Sequence, residues 1–135
     1  MRIAQKALIA HLAGQFPAKT VREYAGDLED ANHILDILPA ILILFEAGQE
    51  FGHQPRQLFN ILVITESQAF EDNESTNNNL EEAEAVCRFL SENPSFRPAD
   101  ASPGSFVVTD IDAEMLSQDR RFTVIALHTT INQSL

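Results

Sequence analysis

Asp110, Asp112 and Glu114 come nearest to a chemical constellation in this chain. On a strand, alternate positions project to one face, so the three carboxylates line up about 7 Å apart. One cation does not readily bridge neighbours at that spacing, because calcium and magnesium gather oxygens from a turn or from several elements. The row reads as a solvated acidic sheet face, with the lumen of a charged ring as the alternative. The four histidines, His11, His33, His53 and His128, have none of the close pairings that zinc sites use. Cys87 falls on the apolar stripe of a predicted helix, where a thiol acts as a small hydrophobe rather than a nucleophile. Gly14, Gly26, Gly48, Gly52 and Gly104 are isolated and build no phosphate-cradling loop. Ser105 and Ser117 lack a nucleophile-elbow context. The expectation is a protein that is not an enzyme, with no catalytic residue, cofactor or bound metal.

Composition narrows the class further. A chain of 135 residues is expected to form a single domain over residues 1–135. Its hydrophobic share of 44% argues against disorder. Twenty Asp and Glu against nine Lys and Arg give a net charge of -11. That is the opposite of a nucleic-acid footprint, and it disfavours an anionic membrane surface. The charge serves solubility, or it marks an acidic surface that avoids a polyanion or meets a basic partner. A single cysteine, Cys87, excludes an intramolecular disulfide. The first residues, Met1 to Lys6, lack the apolar core and cleavage site of a secretory signal, so a cytoplasmic location is expected.

The elements that must position these residues are organised around two apolar runs, Leu38–Phe45 and Leu58–Ile64. Both are far short of the roughly 20 apolar residues of a membrane helix and read as strands covered on both faces. Before them, Ile3, Ala7, Leu8, Leu12 and Phe16 form one helical stripe, with Gln5 on another face and Pro17 as the stop. Lys19–Tyr24 reads as a short strand. Asp27–His33 is acidic and leads into a turn or two of helix before Pro39, which suits a strand start. A loop over Glu46–Pro55 makes an antiparallel hairpin the natural pairing of the two apolar strands. Ser67–Asn79 reads as a polar, acidic loop. A helix over Leu80–Glu92 follows, carrying Leu80, Ala83, Cys87 and Leu90 on one stripe. Glu81, Glu82 and Glu84 would complement its N-terminal dipole. Ser95–Gly104 reads as a linking loop, and Phe106–Met115 with Arg121–Ile131 as a closing hairpin. The fold class is α+β, a mainly antiparallel sheet of about five strands covered on one face by two helices, in the order α-β-β-β-α-β-β.

This order, with Leu38-Pro39-Ala40 opening a long apolar strand, Gly48 after it and a final hairpin, resembles the phage tail-terminator and minor tail proteins of Mu-like phages and prophages. The resemblance covers nearly the whole chain. It implies a structural virion component made in the host cytoplasm and assembled into the virion tail. There it would form a homo-oligomeric ring, expected as a hexamer, on the end of the tail tube. Its partners would be further copies of itself, the tail tube protein and a head-completion protein, with no membrane and no specific nucleic acid. Phe51, His53, Phe70, Glu71 and Asp72, in the two long loops, are candidate subunit or partner contacts. Asp110, Asp112 and Glu114 would face an acidic lumen that repels passing DNA. Two other readings stay open: a small α+β ligand-binding protein or enzyme using the acidic strand face, and an adaptor of a contractile secretion apparatus.

Overall fold

A computed structural model describes residues 3–24, 37–48, 56–66, 72–97, 105–118 and 122–134. Helix α1 (Ile3–Gln15) leads into β1 (Thr20–Glu23), and β2 (Ala40–Gly48) and β3 (Arg56–Glu66) follow. Then come α2 (Asp72–Glu92), β4 (Ser95–Phe96), β5 (Ser105–Gln118) and β6 (Phe122–Ser134). The strands form one sheet in the order β1-β2-β3-β6-β5-β4. Every neighbouring pair is antiparallel except β1 and β2, which run parallel. The fold is α+β, with the expected order of the main elements and both expected hairpins.

The run Leu38–Phe45 is buried on both faces because its residues alternate between two apolar clusters. Ile41 and Ile43 join Phe59, Ile61 and Val63 of β3 and Ile125, Leu127 and Ile131 of β6 beneath the helices. The helices cover that face with Ala4, Ala7, Leu8 and Leu12 of α1 and Ala83, Val86 and Leu90 of α2. Ala40 and Leu42 point the other way, to Leu62, Ile64, Phe122, Val124 and Ala126, with Tyr24, Ile37 and Leu38 packed against them. Burying a Leu or Ile side chain stabilises the fold by about 1.5–3 kcal/mol, so β2, β3 and β6, each buried on both faces, anchor the sheet together.

Several local expectations are corrected. The segment 72–79, expected as loop, is the first two turns of α2, so Asp72 opens a helix. Asn, Ser and Thr are mediocre helix formers, but each costs only about 0.7 kcal/mol or less relative to Ala. Extending a helix already anchored at Ala83–Leu90 is therefore inexpensive compared with nucleating one. It follows that Glu81, Glu82 and Glu84 lie in the helix interior and do not complement its N-terminal dipole. Leu80 is 43% exposed. At about 100° per residue it stands roughly 90° from the centre of the Ala83, Val86 and Leu90 stripe. In α1, Gln5 is buried rather than outward-facing, and its Nε2 donates to the Ile43 carbonyl at 3.0 Å. That carbonyl also accepts from the Tyr24 amide at 2.9 Å, so one β2 oxygen ties α1 and the end of β1 together.

Strand β4 lies within the expected linking loop. Phe96 stacks on Phe106 at 5.6 Å between ring centroids, and the Val108 amide donates to the Pro94 carbonyl at 2.9 Å. The α1 and α2 termini meet nearby at His11. Its Nε2 lies 2.8 Å from the Asn93 carbonyl, and its ring packs on Phe89 and Phe96 at 4.7 and 5.3 Å. These contacts give His11 a structural role at the edge of α1.

Candidate functional site

The acidic row on β5 owes its direction to a bulge. Val108 pairs with Ile131 and Asp110 with Thr130, leaving Thr109 as an extra residue between them. An inserted residue reverses the alternation of a strand. Phe106 and Val108 therefore share the helix-covered face with Ile111, although their numbers differ in parity. Asp110, Asp112 and Glu114 are turned to the opposite face. The bulge is held by side chains: Asn132 Nδ2 donates to Thr109 Oγ1 at 3.1 Å, and Thr109 Oγ1 to the Thr130 carbonyl at 3.4 Å.

On that opposite face the sheet changes character from one end to the other. Leu42, Leu62, Ala126 and Glu114 are successive cross-strand partners, and Leu44, Asn60, His128 and Asp112 form the next row. Apolar β2 thus grades into acidic β5 through Asn60 and His128. His128 Nε2 lies 2.7 Å from Glu114 Oε2, and Nδ1 lies 2.5 Å from Asn60 Oδ1. Nε2–H donates to the carboxylate. The Asn60 amide presents either its oxygen to Nδ1–H or, turned over, its NH2 to a bare Nδ1. Both imidazole nitrogens are engaged, so the ring links Asn60 of β3 to Glu114 of β5 across the sheet.

Of the expected site residues, the structure brings Asp110, Asp112 and Glu114 together on one exposed face. Phe51, His53, Phe70 and Glu71 lie outside the described residues, as do His33 and residues 34–36; Ile37 and Leu38, the end of the helical turn expected before Pro39, are not helical. Asp72 stands at the first position of α2. The row's partners, Asn60 and His128, were not singled out in the sequence as belonging with it. Their signal is that each is a polar interruption within an apolar strand, and only the β3–β6–β5 register aligns them. Among the described residues no group of three His, Cys, Asp or Glu side chains is placed to hold a metal ion. Within the same residues no helix is long and apolar enough to cross a membrane.

Two further polar features have structural explanations. Lys19 forms an ion pair with Glu82 and lies near the Phe16 ring, and burial lowers its pKa from the ordinary lysine value. Burial, with a smaller contribution from Glu84, raises that of the Cys87 thiol. Cys87 is therefore held in the unreactive protonated form at neutral pH. A shallow groove of about 250 Å³ runs between the C-terminal ends of the helices, lined by Phe16, Phe89, Arg88 and Glu92 among others. Its lining also includes Gln15 and Asn93, so polar side chains are mixed with the two aromatic rings.

No protein-family model matches the chain, and no curated protein is significantly similar to it in sequence.

Proposed function

We propose that the protein is a structural component of a phage tail, of the tail-terminator type, acting as a homo-oligomeric ring at the end of the tail tube. The observation that carries this reading is the row Asp110, Asp112 and Glu114, exposed on one face of β5 and held there by the Thr109 bulge. A row of carboxylates lining a ring would repel the DNA backbone and let it pass without adhering. The family resemblance in the order of elements supports the same reading. The sheet, anchored on both faces, would act as a rigid frame that presents loops and an acidic face to other subunits. Heterologous contacts between identical subunits close into a ring when the rotation allows it. The ring is expected as a hexamer, and the tube protein and a head-completion protein as its neighbours.

Tube assembly tests this. Polymerising the tail tube protein with increasing amounts of this chain should shorten the tubes, because capped ends stop growing. Tube lengths independent of the amount added would overturn the reading.

A further inference from the structure

Among the described residues, most of the outer edge of β5 has no partner strand. Strand β4 pairs only with Phe106 and Val107, and from Thr109 to Gln118 no strand among the described residues lies against that edge. Thr109, Asp110 and residues 112–116 are exposed. Such an edge offers a row of backbone donors and acceptors to any extended chain that can reach it. Proteins commonly guard edges with charges and bulges, and β5 has both. It also exposes Met115 at 43% and Leu116 at 44%, which protection alone does not explain.

The charges decide what could dock. A second copy pairing β5 with β5 about a two-fold axis at Asp112 would set Asp112 opposite itself and Asp110 opposite Glu114. Like charges directly opposed across a ladder are destabilising. A segment with Lys or Arg at every second position would instead meet the acids on one face, while its intervening apolar residues meet Ile111, Ala113 and Met115 on the other. We infer that the β5 edge, from Thr109 to Leu116, is a docking site for an extended basic segment of a partner protein, bound by strand addition. The site is read from the isolated chain and does not rest on the tail-ring reading.

The probe is an acetylated and amidated peptide of alternating lysine and valine, about ten residues long to match the edge. Controls are alternating glutamate and valine, and the same lysines and valines in two blocks. The alternating basic peptide is expected to bind about tenfold or more tighter than the block peptide, to weaken as salt is raised, and to protect backbone amides of Thr109–Leu116 from hydrogen exchange. The double variant Asp110→Lys, Asp112→Lys should lose this binding and gain the glutamate peptide. If that variant does not fold, Asp110→Asn with Asp112→Asn should still weaken the basic peptide. Equal binding of the alternating and block peptides, protection that falls elsewhere, or unchanged binding by a folded variant would each overturn the inference.

Discussion

At the scale of single residues, the acids of β5 differ in how far the fold depends on them. Asp110 and Asp112 are exposed, and replacing both by Asn should change unfolding free energy by no more than about 0.5 kcal/mol per site in denaturant titration. Asn60 is only 9% exposed and lies against His128. Asn60→Ala should cost about 1–3 kcal/mol in the same titration, since it leaves a ring nitrogen without its buried partner. Cys87 should react slowly with a thiol reagent at neutral pH in the folded protein and at the ordinary rate once denaturant unfolds it. Burial holds its pKa up, so the folded-state rate should climb only well above neutrality. Equal folded and unfolded rates would contradict that. The acidic row was legible because Asp110, Asp112 and Glu114 sit at strand spacing. Their partners were not, because a histidine and an asparagine on two other strands become neighbours only through the sheet's register.

The elements show the same division between what is local and what is long-range. Strands β2 and β3 were legible because their Ile, Leu and Val runs are too apolar for any half-exposed element. The first helix ended where Pro17 demanded. The start of α2 was misread because Asp72 to Asn79 carries loop-like residues, and helical cooperativity outweighs their modest individual preferences. Strand β4 was missed because two residues carry no periodicity, and its existence depends on Phe106 waiting opposite. Two changes probe this level. Gly14→Ala meets no heavy atom within 4 Å of the added Cβ. It should stabilise the protein by about 0.4–1 kcal/mol, because alanine in the last turn of α1 reduces the freedom of the unfolded chain. Leu42→Ala removes a side chain that is 0% exposed on the face away from the helices. It should cost about 2–5 kcal/mol, and a loss near zero would mean that the second apolar cluster contributes little.

Across the whole molecule, the pairing of β3 with β6 joins the first hairpin to the last and creates the face on which the acids stand. No local pattern announces that pairing, nor the parallel placement of β1 beside β2. The class and order of elements could be read in sequence, and the sheet order could not. A net charge of -11 makes copies of the chain repel one another, and salt screens that repulsion. The reading as a tail-end ring stands or falls on where the protein goes when tubes are present. The direct measurement is electron microscopy of tail tubes incubated with this chain, with rotational averaging of the tube ends. The account predicts a ring of this protein, with six-fold symmetry, seated on tube ends and not along the shaft. Bare tube ends at saturating protein, or a chain that binds the shaft alone, would contradict it.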